Sequence, residues 1–179
     1  MNWKALSIAG VYLLEPDRHE DERGFFARTW CVDECRRQGL ETPAWIQCSI
    51  SQNWRAGTVR GLHYQADPHG EIKLVRCGRG AIWDVLVDVR ESSPTRFQWL
   101  AVELNERNGF QLLIPAGIAH GFQTLTDDTE VSYSISTRYI PEAARGLRWN
   151  DPRIGITWPS PPTAISDRDA AFPLLEAQV

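Results

Sequence analysis

The chain holds four histidines and two lysines, and three of these residues stand in patterned surroundings. His63 lies in Thr58-Val59-Arg60-Gly61-Leu62-His63-Tyr64-Gln65, where strand periodicity puts His63 and Gln65 on one face. Lys73 lies in Glu71-Ile72-Lys73-Leu74-Val75-Arg76-Cys77, a mostly apolar strand, and the only other lysine is Lys4. An imidazole, with an ordinary pKa of about 6.5, suits proton transfer near neutral pH. An ammonium stabilises an oxyanion as it forms. Together they suit removal of a proton that leaves charge on oxygen. Plainer readings stay open: His63 is a base, a metal ligand or a satisfied core residue, and Lys73 is a catalytic cation or an edge lysine that discourages strand addition.

Gly109 is followed after five residues by Pro115-Ala116-Gly117-Ile118-Ala119-His120-Gly121-Phe122. This G-x5-P-x-G-x2-H spacing resembles the second cupin motif and implies a jelly-roll barrel with His120 directed inward. The first cupin motif asks for H-x-H followed by a glutamate. Here the sequence is His63-Tyr64-Gln65, and Glu71 comes late. Divalent metals of the cupin type prefer imidazole and carboxylate to an amide, so a barrel without a metal is expected. Tyr133 shares a strand face with Val131, Ile135 and Tyr139, and the pattern alone reads it as a core tyrosine. Asp169, in Ile165-Ser166-Asp167-Arg168-Asp169, reads locally as a helix-start carboxylate or a solvated charge.

The elements that must position these residues are mostly strands. In Ala81 to Val89, Trp83, Val85, Val87 and Val89 share one face and Ile82, Asp84, Leu86 and Asp88 the other. Further strands are predicted over Phe97 to Leu104, Phe110 to Ile114 and Glu130 to Tyr139. Turn signals separate them at 66–70, 77–80, 105–109 and 126–129. Short strands at such spacing predict an antiparallel sandwich or barrel. One helix is predicted from Val32 to Gln38, stopped by Gly39. The Pro- and Trp-rich stretch from Trp149 to Pro162 is expected to wrap the barrel irregularly, with a short helix after Ser166. The expectation is thus an all-β cupin jelly roll with a few short flanking helices, forming a single domain over 1–179.

With 19 Lys and Arg against 23 Asp and Glu, the net charge of −4 argues against a general nucleic-acid binder, which needs surplus clustered cations. A small anionic ligand needs only a few arginines. No run is apolar enough to span a bilayer and the N-terminus lacks a signal-peptide apolar region, so no membrane association and a cytoplasmic location are expected. Cys31, Cys35, Cys48 and Cys77 contain no C-x-x-C pair and read as small buried thiols.

Taken together, the segments resemble the dTDP-4-dehydrorhamnose 3,5-epimerase family, the RmlC-type cupins. The matching stretches are Asp21-Glu22-Arg23-Gly24-Phe25-Phe26, Arg60 to Gln65, Lys73 to Cys77, Asp84 to Arg90, Ile114 to Phe122, Trp149-Asn150-Asp151-Pro152 and Ser166 to Asp169. They span nearly the whole chain in the family's order. The resemblance implies an epimerase of a nucleotide-diphosphate 4-keto-6-deoxy sugar, working by proton abstraction and return beside the ketone, in deoxysugar and polysaccharide biosynthesis, without a cofactor. It implies His63 as base supported by Asp169, Lys73 stabilising the enolate and Tyr133 as acid on the opposite sugar face. It implies Arg60 and Arg23 on the diphosphate, and His120, Asp84 and Gln47 lining the pocket. It further implies a homodimer that exchanges N-terminal strands, so that Arg23 and Phe26 serve the neighbouring site.

Two positions depart from the family pattern. Arg28 stands where a Glu is common, and Gln47-Cys48-Ser49 stands where Gln-x-Asn is common. Both bear on which base and sugar this chain takes. Three alternatives compete: a single-site epimerase (C3 or C5) of a differently based sugar nucleotide, a metal cupin using His63, Glu71 and His120, and a non-catalytic sugar-nucleotide-binding cupin. Gln65 counts against the second, and the joint presence of His63, Lys73, Tyr133 and Asp169 against the third.

Overall fold

The computed structural model describes residues 1–175. In chain order the strands are β1 (Asn2–Ala5), β2 (Tyr12–Glu15), β3 (Arg18–Asp21), β4 (Gly24–Ala27), β5 (Gln47–Asn53), β6 (Val59–Gln65), β7 (Lys73–Arg79), β8 (Ala81–Asp88), β9 (Trp99–Asn105), β10 (Gln111–Ile114), β11 (Ile118–Thr124), β12 (Thr129–Ile135) and β13 (Ala144–Gly146). Two short helices flank them, α1 (Val32–Arg37) and α2 (Asp167–Ala170). One sheet runs β1-β2-β10-β7-β12-β5 and a second runs β13-β6-β11-β8-β9, while β3 and β4 form a separate hairpin. The two sheets face each other as an antiparallel, cupin-type jelly roll.

Strand alternation explains three layers of packing. One face of each sheet points inward: Leu13, Val75, Leu112 and Val131 from the first meet Ile82, Leu86, Leu104, Ile118 and Phe122 from the second. The neighbouring residues point outward and need cover. Val85, Val87 and Ala119 are sealed by Leu147, Ile154, Trp158 and Leu175 of the wrapping C-terminal segment. Leu14, Leu74 and Leu113 are covered by Trp3, Trp30, Leu40 and Trp45 near the N-terminus and α1. The aromatics there bury large areas, which makes the irregular segments part of the fold.

The turn after β8 is fixed by Asp88, a fully buried carboxylate. It accepts hydrogen bonds from Arg90 Nη2 at 2.7 Å, Ser93 Oγ at 2.5 Å and Thr95 Oγ1 at 2.6 Å. Burial disfavours its charge, yet these donors together hold its pKa well below the usual carboxylate range.

Several boundaries differ from the expectations. Phe97 precedes β9 with a positive φ of 61°, its N–H held by the Asp88 carbonyl at 2.7 Å. The strand expected to reach Tyr139 ends at Ile135, because the chain turns there and the Ile140 N–H is taken by the Gln65 side chain at 2.7 Å. Cys35 and Cys77 are buried thiols, and burial pushes the Cys77 thiol up to about 12. Cys48, expected inside, is exposed because it faces outward on the edge strand β5. Among the described residues no helix is long and apolar enough to cross a membrane.

Candidate active site

The sequence puts His63 on β6 and His120 on β11, and the ladder between these strands brings the two directly opposite. The backbones cross very closely beside them. A Cβ on Gly61 would lie 2.5 Å from the Gly121 Cα, and one on Gly121 would lie 2.6 Å from the Arg60 carbonyl oxygen. Gly61 also has φ +121°, a conformation side chains rarely adopt. Glycine at both places is therefore a packing requirement of the histidine pair.

The carboxylate of His63 arrives from far along the chain. Ser166 caps α2, its Oγ accepting from the Asp169 N–H at 3.1 Å, and this aims Asp169 back at β6. Asp169 Oδ1 lies 2.7 Å from His63 Nε2, and Oδ2 accepts from the Gly61 N–H at 3.0 Å. Asp169 is 5% exposed, not a solvated charge. Burial alone would raise its pKa, but the bonds from His63, Gly61 and Ser166 lower it overall, so it stays ionised. An ionised partner fixes the imidazole and stabilises its protonated form. Phe172 packs edge-on against His63 with ring centroids 5.9 Å apart. It fits there because Gly146, on β13 beside His63, has no side chain: a Cβ would come within 2.1 Å of the ring.

Lys73 opens β7, the strand between β10 and β12, so it is not an edge lysine. It is 6% exposed. Its ammonium is ion-paired with Glu71 Oε1 at 2.7 Å and donates to the His63 carbonyl at 3.1 Å. His120 donates or accepts through Nε2 with Asp84 Oδ2 at 2.9 Å. Asp84 is fully buried behind His120, and it does not reach the cavity wall. Burial raises the Asp84 carboxyl, with His120 and Lys73 partly offsetting this. The His120 ring meets the Tyr133 ring edge-on at 5.9 Å. Burial, then the Asp84 charge, push the Tyr133 phenol far above its ordinary pKa, so it remains a proton donor.

His63, Lys73, His120, Tyr133 and Asp169 line one cavity of about 520 Å3, a size suited to a small ligand. Gln47, Ser49, Ser51 and Arg60 line the same cavity. The Arg60 guanidinium is oriented by Asn53 Oδ1, 2.7 Å from its Nε, and Gln47 Nε2 donates to the Thr137 carbonyl at 2.8 Å. Arg23 and Phe26 lie elsewhere, on the β3–β4 hairpin, with Phe26 75% exposed and Arg23 paired with Asp21. The described residues include no cluster of three or more His, Cys, Asp or Glu arranged to hold a metal.

Three features of the site escape sequence reasoning. The Asp84–His120 pair joins residues 36 positions apart, although alternation did place Asp84 on one face with Ile82 and Leu86. Phe172 carries no local motif. Glu71, which reads as a misplaced metal ligand, is the partner of Lys73; its i, i+2 spacing from Lys73 is the one signal available.

The arrangement is therefore one that can take a proton, hold a developing oxyanion and return a proton, and the chain resembles known proteins in sequence and in fold. The sequence model of dTDP-4-dehydrorhamnose 3,5-epimerase matches residues 5–177. The dTDP-4-dehydrorhamnose 3,5-epimerase of Sinorhizobium fredii is 45% identical over 176 residues, covering 98% of this chain and 90% of that protein. The crystal structure of the Bacillus anthracis enzyme with TDP and pyrophosphate bound superposes with a TM-score of 0.92 at 39% identity, covering 97% of this chain and 99% of the other. The epimerase RmlC of Legionella pneumophila in complex with dTDP-4-keto-L-rhamnose does so with a TM-score of 0.91 at 35% identity, covering 98% and 93%. With a dyad, an enclosed ammonium and a half-buried phenol around one cavity in that same fold, this chain belongs to the dTDP-4-dehydrorhamnose 3,5-epimerase family.

Proposed function

We propose that the cavity epimerises a dTDP-linked 4-keto-6-deoxy sugar. His63 removes the proton on a carbon next to the C4 ketone. The bond's electron pair moves onto the ketone oxygen, where the Lys73 ammonium meets the developing charge. Tyr133 delivers a proton to the opposite face of the same carbon, and repetition at the second flanking carbon inverts both C3 and C5. Asp169 keeps the His63 imidazole oriented and stabilises its protonated form. Asp84, behind His120, performs the matching office for that ring. Arg60 binds the diphosphate, and Gln47 and Ser49 face the nucleoside end. Between the two rounds solvent takes the proton from His63 and returns one to Tyr133, so each round starts from the same protonation states.

The observation that carries this reading is the grouping of His63 with an ionised carboxylate, an enclosed ammonium and a protonated phenol around one cavity. A mere binding pocket for a sugar nucleotide has no use for the acid–base set. The reading extends to a homodimer in cytoplasm, in which the hairpin bearing Arg23 and Phe26 reaches the neighbouring cavity; its Phe25 and Phe26 are exposed large apolar side chains.

The test is incubation with dTDP-4-keto-6-deoxyglucose in deuterated water, followed by NMR. Deuterium at C3 and C5 with inversion of both is the expected result. Exchange at one carbon alone would make this a single-carbon epimerase, and no exchange at either would overturn the reading.

A further inference from the structure

The ammonium of Lys73 faces the reacting region, and a lysine side chain is long and flexible, with rotamer entropy to lose on fixing. Something must hold it. The ammonium is ion-paired with Glu71 Oε1 at 2.7 Å and donates to the His63 carbonyl at 3.1 Å. Glu71 is itself held: its Oε2 accepts from Gln65 Nε2 at 3.2 Å. Gln65 is 3% exposed and is fixed at both ends. Its amide nitrogen also faces the His69 and Arg138 carbonyls at 3.2 and 3.1 Å, and its oxygen accepts from the Ile140 N–H at 2.7 Å. The brace thus runs from the turn after β12 through Gln65 and Glu71 to Lys73.

We infer that Glu71 is a positioning residue for the reaction, holding the Lys73 ammonium aimed toward the ligand, and that Gln65 is the brace that holds Glu71. This rests on the proposed function for its catalytic consequence, but not for the clamp itself. The other groups facing Lys73 do not substitute for Glu71. His63 on β6 is committed to Asp169, Asp84 on β8 is committed to His120 on β11, and Tyr133 on β12 is an uncharged phenol. Glu71 is therefore the one carboxylate bonded to the ammonium among the described residues. It also accounts for the amide at position 65, where a metal-binding cupin would place a histidine. A neutral imidazole in that place offers one N–H donor, whereas the amide shares two N–H donors among the His69, Glu71 and Arg138 oxygens and its own oxygen takes the Ile140 N–H.

The chain makes a direct test possible, because Lys4 and Lys73 are its only lysines. Protein labelled with 13C at lysine Cε gives two signals, and Lys73→Arg assigns them. In Glu71→Gln, which is nearly isosteric and keeps one acceptor, the Lys73 signal should move from its wild-type position at a fixed pH, since the anion that holds the ammonium in place is gone. kcat should fall about tenfold or more, while affinity for dTDP stays unchanged. Glu71→Asp should restore part of both effects. An unchanged Lys73 signal overturns the clamp. A moved signal with wild-type kcat overturns the positioning role. If the wild-type protein epimerises nothing, the proposed function fails while the lysine signal still decides the clamp.

Discussion

His63 and Asp169 are 106 residues apart in sequence and 2.7 Å apart in space, and the carboxylate that closes this distance is also bonded to the backbone of Gly61, two residues before the histidine it serves. The dyad is thus tied to β6 twice. His63→Ala should abolish solvent exchange of the substrate's protons while leaving the fold intact, since the side chain is partly open to the cavity. Asp169→Asn should keep the ring in place but weaken its support, lowering kcat by about 10²- to 10⁴-fold. Deuterium incorporation followed by NMR reads both, and wild-type exchange in His63→Ala would remove that residue from the mechanism.

Tyr133→Phe removes only a hydroxyl. His63 can still take a proton and Lys73 can still meet the oxyanion, so exchange with solvent should persist. Return of the proton from the other face should fail, with inversion reduced by about 10²- to 10⁴-fold. Exchange and inversion measured on the same sample separate the two effects. Small, equal losses would return Tyr133 to the core beside His120.

Asp88 supplies a stability prediction. Its carboxylate is ionised in the folded state well below the ordinary range, so the unfolded chain binds its proton more readily. The sign follows: the stability it contributes is fully present above the unfolded value of about 3.9 and is lost as pH falls toward the folded value. Asp88→Asn should remove much of that acid-side loss and cost about 3 to 5 kcal/mol near neutral pH, because it leaves Arg90 partly buried without its partner. Urea denaturation of both proteins between the neutral range and about pH 3 checks it, and parallel pH curves would contradict it.

The hairpin prediction concerns complementation. If Arg23 and Phe26 serve the neighbouring cavity, His63→Ala and Arg23→Ala proteins, each impaired, should regain activity when mixed and allowed to exchange subunits. One cavity of each mixed dimer then has both residues. Absence of any recovery in samples proven to contain mixed dimers would confine the hairpin to its own protomer.

The strands carrying an apolar alternation were legible in the sequence. Val85 and Val87 against Ile82 and Leu86 fall on opposite faces of β8 as the period of two demands, and they pack in separate layers. β5 was not legible: Gln47-Cys48-Ser49-Ile50-Ser51-Gln52-Asn53 has polar residues on both faces, because one faces the cavity and the other lies open on the sheet edge. The same physics limits reading the site. His63, Lys73 and His120 stand out by type and by spacing within a strand. Their carboxylates do not, since a local window shows Asp169 only as a charge at a helix start and Glu71 only as a ligand out of register. Burial and partner, which turn such a charge into a functional group, come from other segments of the chain.

The crossing of β6 and β11 at Gly61 and Gly121 spaces the two histidines, but the partner of one of them comes from α2, beyond every strand of the barrel. During synthesis on the ribosome, a chain grown as far as β13 has both histidines, the lysine and the phenol, yet no carboxylate for His63. The activity is therefore time-stamped: a barrel can form early, but the base acquires its support only when the final wrapping segment emerges and docks.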